Sequence, residues 1–209
     1  ILPQSMHHVW DDYEKQRAHQ DSCLNLCVLG TFSAGKSSLL NALLGDDILP
    51  TGQTETTALA TVISRGEAIR FGLRLQESET WDIEHSEFSS FVVNSTRSSV
   101  YGSEHGLVQH PATWLTYYQV MDLPGLGGVD ENRRAVVNAS VISADVILYV
   151  LPQRGPTKED IDAIALAHER GKHVIVVLSR WDEHLEAQSR GESPVNLTLW
   201  EEQIYKQTQ

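Results

Sequence analysis

Short apolar runs alternate with amphipathic stretches along this chain, and that rhythm sets most expectations for its fold. Met6, Val9, Trp10 and Tyr13 recur at helical spacing among charged residues, predicting an amphipathic helix over residues 4–19 with an apolar stripe to bury. CLNLCVLG (23–30) reads as a buried strand, and SSLLNALLG (37–45) as a helix closed by Gly45. TTALATVI (56–63) and AIRFGLRLQ (68–76) read as two strands, separated by residues 64–67 in a way compatible with a hairpin. YYQVMDLPG (117–125), ADVILYVLP (144–152) and KHVIVVLSRWD (172–182) predict three more, the last two too continuously apolar to be half-exposed. Between those two, PTKEDIDAIALAHERG (156–171) opens with proline and acids and closes with glycine, as a helix does. Residues 77–116 are polar and irregular, with a helical pattern only around 87–93, and are expected to form a surface insertion. VNLTLWEEQIYKQTQ (195–209) predicts a final helix.

Strands alternating with helices imply an α/β domain of three layers, with a mostly parallel central sheet and helices on both faces. The division expected is an N-terminal helix over residues 1–21 and one principal domain over 22–209. A chain of 209 residues, 41% hydrophobic, is long enough for one sizeable core.

Charge and cysteine usage narrow the partners. The formal charge of −12, from 28 acidic and 16 basic side chains, repels nucleic-acid phosphates and anionic headgroups, so no nucleic-acid partner is expected. No apolar run approaches the roughly 18 residues of a membrane span, and no basic region precedes an apolar leader, which predicts a soluble, cytoplasmic chain. Cys23 and Cys27, four apart on one strand, are expected to be buried free thiols on a common face rather than a disulfide. His85, His105 and His110 match no compact metal-ligand spacing.

The candidate chemistry starts at GTFSAGKS (30–37), which fits G-x-x-x-x-G-K-[S/T] with a buried strand before it and a helix after it. Glycines at 30 and 35 let the backbone turn its amides toward phosphate oxygens, and the helix start adds partial positive charge. Gly30, Phe32, Ser33, Ala34, Gly35, Lys36, Ser37 and Ser38 are the expected nucleotide contacts, Lys36 reaching the outer phosphates and Ser37 offering its hydroxyl to Mg²⁺. Asp122 ends a buried strand in Asp-Leu-Pro-Gly, placing a carboxylate near the metal and the Gly125 amide near a γ-phosphate. Ser179-Arg180-Trp181-Asp182 follows the last strand, where a carboxylate at Asp182 can accept two hydrogen bonds from guanine but finds no matching donor pair on adenine. Arg180 can lie over the purine face, and Ser179 stands where a longer Asn or Thr is usual.

G-x-F-S-A-G-K-S-S, L-x-N-A-L-L-G, I-L-P-T-G with Thr56-Thr57, D-L-P-G-L and the terminal R-W-D together resemble the dynamin superfamily of large GTPases, especially bacterial dynamin-like proteins and mitofusins. The resemblance spans about residues 23–182. It implies GTP hydrolysis, GTP or GDP with Mg²⁺ as ligands, and Thr57 as the switch threonine on metal and γ-phosphate, with Thr56 as the adjacent candidate. Ser37, Thr57 and Asp122 then form the metal set, and Ser33, Lys36, Thr57 and Gly125 the catalytic set. Leu126 stands where Ras-like enzymes carry a water-orienting glutamine, and an alkyl group cannot hydrogen-bond water. In dynamin-like proteins the serine matching Ser33 helps hold a monovalent cation, K⁺ or Na⁺, and two domains pair across their nucleotide faces. Phe32 departs from dynamin's glutamine at the position before Ser33. The resemblance further implies self-association, an N-terminal helix that joins a bundle, and peripheral membrane association through regions outside this chain. It also implies a further strand and closing helix after residue 209. The alternative reading is a slow nucleotide-dependent switch such as a ribosome-associated GTPase.

Overall fold

The structure, a computed structural model, describes residues 23–52, 59–75, 78–93, 103–125, 140–152, 154–191 and 196–207. The helix expected over 4–19, and the expectations for Thr56, Thr57 and Leu126, lie outside the described residues. The elements run β1 (Leu24–Leu29), α1 (Lys36–Leu44), β2 (Thr61–Arg65), β3 (Arg70–Leu75), β4 (Glu79–Trp81), α2 (His85–Val93), β5 (Ser103–His110), a 3₁₀ turn (Thr113–Thr116) and β6 (Tyr118–Asp122). They continue with β7 (Val146–Leu151), α3 (Lys158–Glu169), β8 (His173–Leu178), α4 (Trp181–Ser189) and α5 (Leu197–Gln207).

One eight-stranded sheet carries the fold, in the order β4-β3-β5-β2-β6-β1-β7-β8. β6, β1, β7 and β8 are mutually parallel, as is the pair β2 and β5, whereas β2 meets β6 and β3 meets β4 and β5 in antiparallel fashion. Successive β1 side chains point to opposite faces, and the core divides accordingly. Leu26 and Val28 join Ile63, Val108 and Val120 beneath Leu40 and Leu44 of α1 and Phe88 and Val92 of α2. Cys27 and Leu29 join Ile147, Tyr149 and Leu151 beneath Ile164 and Ala167 of α3. The three-layer α/β arrangement expected from the sequence is therefore present.

Four expectations are corrected. Residues 77–116 do not form a surface insertion: β5 is a central strand and α2 covers it, with Phe88, Val92 and Val108 fully or almost fully buried. Consequently β2 and β3 are not a hairpin, because β5 pairs with both and separates them. The pattern of β5 is hidden by His105, Gly106 and Gln109, and the buried His110 is satisfied at both ring nitrogens, Nε2 lying 3.1 Å from Asp46 Oδ2 and Nδ1 accepting from the Ala112 amide at 3.1 Å. β8 forms the sheet edge, so Ile175 is 52% exposed among the described residues despite the apolar run around it. Of the two free thiols only Cys27 is buried, its Sγ donating to the Ser140 carbonyl at 3.3 Å, and burial pushes this thiol up to about 12. Cys23 lies before β1 and is exposed.

The placement of α2 has a measurable consequence. Phe88→Ala is expected to cost about 3–5 kcal/mol, the range for an aromatic deleted from a packed core, by equilibrium denaturation. A change under about 0.5 kcal/mol, as at an ordinary surface position, would return this segment to the surface.

Candidate functional site

β1 and α1 meet at a sharp reversal between Leu29 and Lys36. Gly30 has φ 152°, and a methyl group there would lie 2.4 Å from the Val150 carbonyl oxygen of β7, so no side chain fits. Ser33 (φ 56°) and Gly35 (φ 90°) are both left-handed, while the Ala34 N–H closes the turn on the Thr31 carbonyl at 3.2 Å. Alternation of this kind turns main-chain amides into a concave anion-binding surface. Gly35 caps α1 without a side-chain hydrogen bond, so the amides and partial positive charge of the helix start face this hollow.

An open cleft at this point is lined by Phe32, Ser33, Ala34, Gly35, Lys36, Ser37 and Ser38, together with Thr51, Gly52, Gly125 and Arg180. Among the described residues its charged lining side chains are the cations Lys36 and Arg180. Lys36 is buried, with Nζ donating to the Gly30 and Thr31 carbonyls at 3.2 Å each. Burial lowers its pKa, against the Asp122 and Asp160 carboxylates, which favour the ammonium form.

Asp122 closes β6 and is 1% exposed. Ser37 Oγ donates to its Oδ2 at 2.9 Å, while Oδ1 has no partner among the described residues. Burial pushes this carboxyl up to about 6, despite the downward pull of the Lys36 charge and the Ser37 bond. A serine hydroxyl bonded to a buried carboxylate with a spare oxygen is a hard-oxygen donor set, which fits Mg²⁺. Gly125 brings the chain after Asp122 against the loop: a methyl group there would sit 3.0 Å from Phe32 Cα and 3.5 Å from Lys36 Nζ.

The segment after β8 reaches the same loop from behind. Ser179 Oγ bonds the Ala34 carbonyl at 2.6 Å and the Leu151 carbonyl at 3.2 Å, so this serine, shorter than Asn or Thr, still supports the loop. Arg180, left-handed at φ 55°, caps α4; its Nη2 donates to the Ser33 carbonyl at 3.2 Å and its Nη1 lies 3.7 Å from Glu183. Asp182 is exposed in the first turn of α4 and does not line the cleft.

Thr51 and Gly52 are cleft residues that sequence reasoning did not single out. What brings them there is Asn41, whose Oδ1 accepts from the Ile48 and Leu49 amides at 3.2 and 2.8 Å while its Nδ2 donates to the Leu49 carbonyl at 2.9 Å. Its place in L-x-N-A-L-L-G, one turn beyond Ser37, was the available signal.

Comparison with known proteins agrees with this geometry. Residues 26–181 match the family model described as the dynamin family. The chain is 27% identical over 171 residues to dynamin-like protein 2 of Campylobacter jejuni, covering 78% of this chain and 26% of that protein. It is 24% identical over 180 residues to the bacterial dynamin-like protein of Nostoc punctiforme, again covering 78% and 26%. Among solved structures it superposes on an oligomerised bacterial dynamin pair that provides a mechanism for long-range sensing and tethering of membranes. The TM-score is 0.61 at 19% identity, covering 91% of this chain and 32% of that one. A strand, glycine-turned loop and helix with a carboxylate delivered from a nearby strand define a P-loop nucleotide-binding domain. This chain belongs to the dynamin family, and it spans about a quarter of the length of the curated relatives just described.

The raised pKa of Asp122 fixes the sign of a stability effect. A carboxyl at about 6 in the folded protein, against 3.8 ordinarily, penalises folding fully above pH 6 and not at all below the ordinary value. Asp122→Asn is therefore expected to raise the melting temperature of the nucleotide-free domain at pH 7.5, by a stability gain of about 1–3 kcal/mol. The advantage should shrink as pH falls toward 4; a gain that persists undiminished at acid pH would contradict the burial penalty.

Proposed function

We propose that this domain binds GTP with Mg²⁺ in the cleft between the phosphate loop and β6 and hydrolyses it. The observation that carries the reading is the meeting of Lys36, Ser37 and Asp122 there, with Ser37 Oγ 2.9 Å from the Asp122 carboxylate. Loop amides from Gly30 to Ser38 and the α1 start cradle the phosphates, and Lys36 holds the outer ones by charge. A Mg²⁺ ion held there would supply neutralisation of triphosphate charge. Ser37, Asp122 and the switch threonine, Thr57 or its neighbour Thr56, are the residues that would hold it. The Gly125 amide faces the γ-phosphate. Hydrolysis then proceeds by positioning and electrostatic compensation, with no strong base required.

Guanine selectivity is assigned to Asp182, with Arg180 beside the purine and Ser179 supporting the loop. Asp182→Asn should shift preference from GTP toward XTP, because an amide complements the donor and acceptor pattern of xanthine. Unchanged affinity for both nucleotides would remove Asp182 from base recognition.

Ser33 is assigned to holding a monovalent cation, and the domain is proposed to pair with a second copy across the nucleotide face. In the longer protein this cycle serves membrane remodelling, a role supported by the kinship with bacterial dynamins. Among the described residues no helix is long and apolar enough to cross a membrane. Peripheral membrane attachment is assigned, from the kinship alone, to regions outside this chain. The test is GTP turnover per molecule measured against protein concentration, in Na⁺ and in K⁺. Turnover that accelerates with concentration and depends on the cation is expected. Slow turnover at every concentration would favour a switch, and none at all would contradict the enzyme.

A further inference from the structure

The sheet face beneath α1 carries two polar side chains in an otherwise apolar row. Thr61 of β2 and Asp122 of β6 are register partners across an antiparallel pair, so their side chains leave the sheet on the same side, with Cβ atoms about 4.5–5.5 Å apart. Thr61 is 0% exposed and Asp122 1%. Thr61 Oγ1 and Asp122 Oδ1 are both buried without a hydrogen-bond partner among the described residues. A hydroxyl buried without a partner is unfavourable, and a carboxylate oxygen more so.

Each of these groups supplies what the other lacks. The hydroxyl is a donor, and Oδ1 is the acceptor that remains after Ser37 has taken Oδ2. Among the described residues, neighbouring groups offer Thr61 little else: across its other edge it is registered with Gly106, which has no side chain, and the ring of Phe88 closes that flank. A methyl group on Gly106 would press to 3.1 Å from Thr61 Oγ1, so glycine there keeps the hydroxyl free to turn.

We propose that Thr61 is a positioning residue for the metal-side carboxylate: its hydroxyl donates to Asp122 Oδ1, directly after side-chain rotation or through one enclosed water. This rests on the reading of the cleft as a Mg²⁺-nucleotide site. With Ser37 on Oδ2 and Thr61 on Oδ1, both oxygens are fixed, and the carboxylate plane is set before any ligand arrives. Thr61 touches neither substrate nor the reacting atoms; it acts through Asp122. Hydrogen-bond partners that orient metal-side groups typically change metal affinity by 10–100-fold when removed.

The test compares Thr61→Val, which keeps the branched shape and removes the hydroxyl, with Thr61→Ser, which restores it. Mg²⁺ is titrated into each protein bound to fluorescently labelled GDP, and its dissociation constant is read directly, without turnover. Thr61→Val is expected to bind Mg²⁺ about tenfold more weakly, with Thr61→Ser within twofold of the parent. Equal Mg²⁺ affinity in Thr61→Val and the parent would overturn the pairing, as would equal impairment in both variants, which would mark a packing effect. If Thr61→Val does not fold, Thr61→Ala is read by the same two criteria. A parent protein that binds labelled GDP but never Mg²⁺ would overturn the pairing alone; one that binds neither would sink the nucleotide reading with it.

Discussion

The phosphate loop keeps its shape because its carbonyls are held. Lys36 takes those of Gly30 and Thr31, Arg180 that of Ser33, and Ser179 that of Ala34. A trans peptide places each carbonyl opposite the following N–H, so holding the Ala34 oxygen toward β8 turns the Gly35 amide the other way. The left-handed backbone at Ser33 would be costly in a free loop, whereas Gly35 adopts it without penalty. These bonds, with the close fit of Gly30 against Val150, make that backbone the native state. A cradle set in advance spares the ligand much of the ordering cost of binding.

The same economy of position extends outward along α1. Lys36 and Ser37 occupy its first turn and Asn41 its middle, where three bonds clamp Ile48 and Leu49 and so deliver Thr51 and Gly52 to the cleft. His85 adds a bond from Nε2 to the Ile48 carbonyl at 2.9 Å, and His110 holds Asp46. α1 is thus the part that ties the phosphate loop to the chain leading toward Thr56 and Thr57. Asp122, buried beside the Lys36 charge and the Ser37 hydroxyl, is the stability cost of this arrangement.

What could be foreseen from the sequence follows a physical line. Contacts made within a few residues of each other were legible: the glycine turn, Lys36 and Ser37 after it, the apolar strands, and the proline- and acid-rich opening of α3, where the structure adds a reciprocal capping box of Thr157 and Asp160. Contacts that require strand register were not. β5 carries a glycine because Phe88 lies over it and a histidine because Asp46 meets it, so its apolar alternation is broken by its neighbours' needs. Likewise nothing near Thr61 in the sequence points to Asp122; only the antiparallel pairing of β2 with β6 sets them side by side. Ser179 looked like a shortened base-loop residue, yet its hydroxyl reaches two carbonyls because β8 ends directly behind the loop. α4 escaped notice for a related reason: its helix begins within Arg180-Trp181-Asp182, whose chemistry drew the eye to recognition rather than to backbone.

The claim on which the account stands is that a set of held carbonyls and one buried ammonium make a preformed triphosphate cradle. Calorimetric titration of the domain with GTP and with ATP, each with Mg²⁺, on the parent and on Lys36→Ala, tests it most directly. The account predicts saturable heat with GTP, markedly weaker binding of ATP, and no heat with either nucleotide in a Lys36→Ala protein that still melts cooperatively. Parent-like binding of GTP by folded Lys36→Ala, or no heat from the parent itself, would contradict it.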